Sequence, residues 1–222
     1  MKKLISLTAG ILFFAVMPLI GWGIFDLKGF LDNTFRIIYL LMIVLLMLAL
    51  QLFAPDNGPG IRQRLSALKH QKLTLILTRI GPILILLISP YFDRYEIGWT
   101  AQNELIRIFG LVLSFFGFLL MNWAIIIIGR QFRVEITAQE YQQLIGIGPY
   151  KYIRHPRFLG MIAFFTGIPL IFNRLIPLII VVFLIGVLIW RIYDLEKQMQ
   201  EELNISWMNY KKSTNSLIPF IF

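Results

Sequence analysis

Two groups of side chains in this 222-residue chain could do chemistry. The first is the stretch Gly148-Pro149-Tyr150-Lys151-Tyr152-Ile153-Arg154-His155-Pro156-Arg157-Phe158-Leu159-Gly160. It packs two glycines, two prolines, three aromatics and four basic or imidazole side chains into thirteen residues between apolar runs. Pro149 and Pro156 push the residues before them out of the helical region, so the stretch reads as structured loop rather than helix. The plain alternative is a membrane-edge loop of snorkelling Lys and Arg with a Tyr belt. The second group lies on the predicted C-terminal helix, about Trp190 to Lys212. There Ile192, Met199, Leu203, Trp207 and Tyr210 share one stripe at helical spacing, with Glu196 in its middle. A carboxylate on an apolar face is costly unless it meets a partner or a ligand. Glu196 is therefore either a site residue or the partner of a loop arginine such as Arg154. Arg191 projects to another side of that helix, nearer Leu195, Gln198 and Glu202, and a single pocket touching Arg191 and Glu196 needs a bend or must wrap the helix.

What can position these groups is bounded by composition. The chain is 58% hydrophobic and 15% charged, with a mean hydropathy of +0.74. Soluble domains run near 45–50% apolar and about 25% charged, so the reading is an all-α integral membrane protein. Cysteine is absent, which removes disulfides, thiolate nucleophiles, iron–sulfur clusters and cysteine-based zinc sites. With His70 and His155 the only histidines, no metal is expected. The formal charge of +9 is assigned to membrane-facing basic loops rather than to nucleic acid.

Six hydrophobic segments are expected: about Leu4–Phe25 (an uncleaved anchor), Ile37–Phe53, Leu73–Phe92, Leu105–Ile128, Leu159–Phe172 and Leu175–Trp190, the last two forming a tight helical hairpin bent near Pro169 and Pro177. Arg79, about two turns into the third segment, reads as snorkelling toward the basic run Arg62–Lys72. Asn122 is expected to bond across to a neighbouring helix. Basic segments alternate with near-neutral ones, which predicts both termini and the Gly129–Arg157 loop on the cytoplasmic side of a plasma or inner membrane. The chain is read as one membrane domain, with N-terminal spans over 1–104 and a catalytic core over 105–222.

The loop resembles the GPYxYxRHPxYxG signature of the isoprenylcysteine carboxyl methyltransferase and phospholipid methyltransferase families. Arg191-Ile192, Glu196, Met199, Leu203, Trp207, Tyr210 and Leu217-Ile218-Pro219-Phe220-Ile221 track the families' tail. The resemblance implies methyl transfer from S-adenosylmethionine to a lipidic or membrane-partitioned acceptor, with membrane lipids as surroundings and no nucleic acid. It implies a cofactor pocket of Gln142, Gln143, Leu144, Ile145, Gly148, Tyr150, Arg154, His155, Pro156, Arg157, Phe158 and Glu196. Arg191 would face the substrate, making Arg191 and Glu196 the catalytic candidates. Three positions depart from the pattern: Leu195 replaces the first Glu of an acidic pair, Gln142 a His, and Phe158 the Tyr of RHPxY. A non-catalytic scaffold of the same fold and a sterol reductase-like NADPH enzyme stay open as alternatives.

Overall fold

A computed structural model describes residues 8–53, 71–98, 103–131 and 147–217. The elements are α1 (Thr8–Trp22), and α2 (Leu27–Leu31), α3 (Thr34–Phe53), α4 (Gln71–Arg94), α5 (Glu104–Gln131), α6 (Pro156–Ile171) and α7 (Leu178–Ser213). A 3₁₀ turn, Gly148–Lys151, precedes α6. Among the described residues there is no strand, only one isolated parallel bridge between Ile153 and Asn215.

Among the described residues, four helices are long and apolar enough to cross a membrane: stretches within α3, α4, α5 and α7. α1 and α6 are apolar but shorter. The first expected segment ends at Trp22 because Gly23, with φ +114°, turns the chain, and Asp26 then caps α2 by accepting from the Gly29 amide at 3.0 Å. The last expected segment and the amphipathic helix are one element, since α7 is continuous over 36 residues. The chain between α6 and α7 turns at Asn173, whose φ is +55°, while Pro169 lies inside α6 and Pro177 caps α7.

The closest packing is between α5 and α6. Gly110 and Gly117 on α5 face Gly167 and Gly160 on α6, so the two backbones touch. A Cβ on Gly117 would meet the Phe164 amide nitrogen and the Gly160 carbonyl, and one on Gly110 would lie 2.8 Å from the Gly167 carbonyl. Small residues at such a contact let dispersion act along whole helices, where lipid gives no hydrophobic drive. Ser114 supplies the polar bond between the two, donating to the Phe164 carbonyl at 3.2 Å. Asn122, expected to do this, instead donates to Phe118 O of its own helix at 2.8 Å. Phe14, Phe118 and Phe164 meet edge-on or tilted at 5.3–5.7 Å and fill the core beside this seam.

At the end of the bundle where α3 and α5 begin, Asp93 sits between two arginines. Arg36 Nε is 3.6 Å from Asp93 Oδ2 and Arg174 Nε is 3.7 Å from Oδ1, with all three side chains no more than 11% exposed. Arg36 also lies 4.1 Å over the Trp22 ring. This cluster ties α1, α3, α4 and the α6–α7 turn together. The candidate site occupies the other end.

Candidate functional site

The GPYxYxRHP stretch is part turn and part helix. Gly148 adopts φ +61°, which a side chain would oppose, and Pro149 starts the 3₁₀ turn. His155, kept out of the helical region by the proline after it (φ −122°, ψ 54°), occupies the N-cap of α6. The expectation of loop through Gly160 is corrected here. Pro156 takes the first helical position, where its missing N–H costs nothing and its fixed φ suits the helix, so Pro156–Gly160 are helical.

The stretch is clasped by the end of α7. Arg154 N donates to Asn215 O at 2.8 Å, His155 N to Ser216 O at 3.0 Å, and Asn215 N to Tyr152 O at 3.1 Å. These amides are consumed by the clasp and are not left for a ligand. Tyr210 donates to Tyr150 O at 2.8 Å, and Thr214 Oγ1 to Tyr210 O at 2.6 Å. Burial pushes the Tyr210 phenol up, with Tyr150 adding to the effect, and burial likewise raises Tyr150, so both stay neutral donors.

Glu196 is the hub. Its Oε1 accepts from Arg154 Nε at 2.9 Å and Ser216 Oγ at 3.1 Å and lies 3.3 Å from His155 Nε2. Its Oε2 is 3.2 Å from Lys211 Nζ. Arg154 also reaches the carbonyls of Lys211 (3.3 Å) and Thr214. The Arg154 and Glu196 side chains are 7% and 13% exposed. The arginine partnership weighed from the sequence is thus present, and His155 joins it. The His155 ring stacks on Phe158 at 5.8 Å and 9°, which needs the ring of Phe158 and not a hydroxyl.

Geometry forces a further conclusion about α7. In a straight helix Glu196 and Lys211, fifteen residues apart, would be separated by about 22 Å, far beyond the reach of the two side chains. The end of α7 therefore folds back as a hook, with Arg154 bridging its two limbs. No proline or glycine lies between the two residues, so the bend is held by these contacts rather than by a backbone breaker. Lys211, Thr214 and Ser216 were not singled out from the sequence, because a straight-helix projection puts Lys211 far from Glu196. The polar Ser213-Thr214-Asn215-Ser216 run after the helix was the available signal.

Arg191 is elsewhere. None of the contacts to Glu196 comes from Arg191 or Arg157. Gln142, Gln143, Leu144 and Ile145 lie outside the described residues, as do Ile218-Pro219-Phe220-Ile221. Among the described residues no group of three or more metal-ligating side chains occurs.

The hook leaves one buried donor without a partner, the Trp207 indole Nε1, on a side chain only 4% exposed whose ring lies 5.6 Å from that of Tyr210. An orphaned buried donor beside the clasp is an observation that suits a polar ligand there.

Comparison with known proteins agrees with the motif reading. Residues 110–201 match the model of the isoprenylcysteine carboxyl methyltransferase family. Two Arabidopsis thaliana proteins, protein-S-isoprenylcysteine O-methyltransferase A and B, are each 24% identical over 160 residues, covering 69% of this chain and 75% of theirs. No solved structure matches.

Proposed function

From the premise that this chain is a membrane methyltransferase, with residues 110–201 carrying the isoprenylcysteine carboxyl methyltransferase family's sequence, we propose that its methyl donor is S-adenosylmethionine and its acceptor a prenylated cysteine carboxylate. The observation that carries the proposal is the Glu196 clasp, which ties the two motif blocks of the sequence to each other. S-adenosylmethionine, when bound, supplies a methyl group on a positively charged sulfur.

The residues present suit that cation and its polar arms. Tyr150 is a neutral aromatic wall and Trp207 offers an unused N–H, while Glu196, already paired with Arg154 and Lys211, fixes the elements that carry them. In this reading Gly148 lets the turn approach closely, while Pro156 and Phe158 fix the His155 ring. Gln142, Gln143, Leu144 and Ile145 complete the pocket by the family resemblance. Arg154 and His155 act through Glu196, as positioning residues. With Leu195 where the family has its first acid, Asp194 is left to supply negative charge near the donor. Arg191 holds the acceptor.

A carboxylate acceptor is already a nucleophile, so no general base is required. The chain's task is to align the acceptor oxygen with the methyl carbon and keep water out, so that the carbon–sulfur bond breaks as the ester bond forms. The site is proposed to face the cytoplasm, on the side of the basic loops. The test is to incubate the purified protein in nanodiscs with methyl-labelled S-adenosylmethionine and N-acetyl-S-farnesylcysteine. Base-labile label in the lipid fraction is the expected result. Label in a phospholipid amine would replace the acceptor, and no donor binding by calorimetry would reject the reading.

A further inference from the structure

At the end of the bundle away from the proposed site, two buried guanidiniums share one carboxylate. Arg36 Nε stands 3.6 Å from Asp93 Oδ2, and Arg174 Nε 3.7 Å from Asp93 Oδ1. Both separations are longer than a hydrogen bond. Among the described residues, five buried side-chain nitrogen or oxygen atoms have no hydrogen bond, and three of them are Arg36 Nε, Arg174 Nε and Asp93 Oδ2. A fourth is Ser89 Oγ, on a fully buried side chain one helical turn before Asp93 on the same face of α4.

Other contacts hold the two guanidiniums in place. Arg36 Nη1 donates to Gly29 O at 3.2 Å, and the group lies 4.1 Å over the Trp22 ring. Arg174 Nη2 donates to Asp93 O at 3.3 Å and Nη1 to Gly98 O at 3.5 Å. These Nη atoms are committed to carbonyls, which leaves the two Nε–H groups turned toward opposite oxygens of the same carboxyl group. A third cation stands close by, since Arg107 donates to Asn33 Oδ1 at 3.1 Å, three residues before Arg36. The remaining acids of this end do not enter the buried group. Asp26 pairs with Arg94 at 3.4 Å and is 40% exposed, while Asp32, Glu96 and Glu104 are exposed. Two buried cations therefore face one buried anion. One positive charge is left over, and two N–H donors have lost water without gaining an acceptor. Each is costly unless a further group completes the cluster.

We propose that Arg36 and Arg174 bind a small monovalent anion, a halide such as chloride, beside the Asp93 carboxylate. The site is structural: it joins α3, α4 and the α6–α7 turn. A monatomic anion suits a group whose side chains are only 7–11% exposed. It accepts from both Nε–H groups whatever their directions, and it cancels the excess charge. A water molecule would serve the two donors and Asp93 Oδ2 equally well, but it would leave the charge in place. That difference is what an experiment can read. The proposal is independent of the methyl-transfer reading, which uses the other end of the bundle.

The full chain is purified in detergent in sodium gluconate, and its melting temperature is followed as chloride or bromide replaces gluconate at constant ionic strength. A saturable rise in melting temperature with either halide is expected, because a ligand that binds only the folded state stabilises it by mass action. Arg36→Lys and Arg174→Lys keep the charge but lose the Nε–H donor. Each should raise the halide concentration at half-effect by roughly tenfold or more, as expected for loss of a hydrogen bond to a charged group. Asp93→Asn should keep a halide response, since it leaves both donors and removes a competing negative charge. Bromide anomalous scattering from crystals of the wild type tests the site even if the variants fail to fold, with a peak expected between the Arg36 and Arg174 Nε atoms. Equal melting temperatures in halide and gluconate would overturn the proposal and leave water as the bridge. A halide response unchanged in both lysine variants, or a bromide peak elsewhere with none at this cluster, would overturn it as well.

Discussion

At the scale of single residues, the Glu196 carboxylate holds more of the site than any other group, because four donors from three segments meet on its two oxygens. Removing one member of a buried, hydrogen-bonded ion pair costs about 3–5 kcal/mol, much of it from stranding the partner. Arg154, at 7% exposure, would be that partner. Glu196→Ala is therefore expected to lower the melting temperature markedly and to abolish S-adenosylmethionine binding by calorimetry. Glu196→Gln, which keeps the acceptor oxygen but not the charge, should fall between. Tyr210→Phe removes one neutral hydrogen bond to Tyr150 O, a loss of about 1 kcal/mol. The phenol's raised pKa has a pH consequence. The neutral form is the one the fold favours, so its stabilisation is complete below the unfolded pKa of about 10 and is lost only as pH rises through the higher folded value. Alkaline titration of stability should thus show a drop above about pH 10 that is smaller in Tyr210→Phe.

At the scale of elements, two contacts decide whether a site exists: the glycine seam of α5 on α6, and the hook of α7. The seam places His155 at the start of α6. Gly117→Val would drive a side chain into the Phe164 and Gly160 backbone, which cannot move aside as a flexible side chain would. A loss of 3 kcal/mol or more is expected, ~3 being the upper end for ordinary overpacking. Gly186→Ala on α7 is the control, since nothing lies within 4 Å of its Cβ position. It should be neutral or stabilise by roughly 0.5–1 kcal/mol through helix propensity. Thermal unfolding in detergent separates the two. Ending the chain after Tyr210 removes the Asn215 and Ser216 carbonyls that receive the Arg154 and His155 amides. Such a chain should still insert, yet fail to bind S-adenosylmethionine.

At the scale of the whole molecule, the bundle is fastened at both ends by arginine–carboxylate clusters of different kinds. The Glu196 cluster has its carboxylate fully partnered. At the Asp93 cluster, Arg36 Nε, Arg174 Nε and Asp93 Oδ2 have no hydrogen bond, and the ion pairs are the longer 3.6–3.7 Å. That end ties helices together and touches nothing at the site. Asp93→Asn leaves two buried guanidiniums without their counter-charge, and the melting temperature should fall by an amount corresponding to about 3–5 kcal/mol. Donor affinity per folded molecule should be unchanged. A parallel loss of affinity would mean that the two ends are coupled through the helices.

The sequence by itself determined the class and the type of reaction. Apolar runs of bilayer length can only be helices, the absence of cysteine removes whole reaction types, and the two motif blocks imply methyl transfer. It also marked Glu196, because a carboxylate amid Ile192, Met199 and Trp207 is costly wherever the chain goes. Only the tertiary structure decided what Glu196 meets. Helical periodicity describes a straight rod, and α7 is not one. A hook held by contacts from Arg154, with no proline or glycine to announce it, leaves no mark on local sequence. The same holds for Asn122 and for the helical start at Pro156. Local preferences allowed more than one outcome at each.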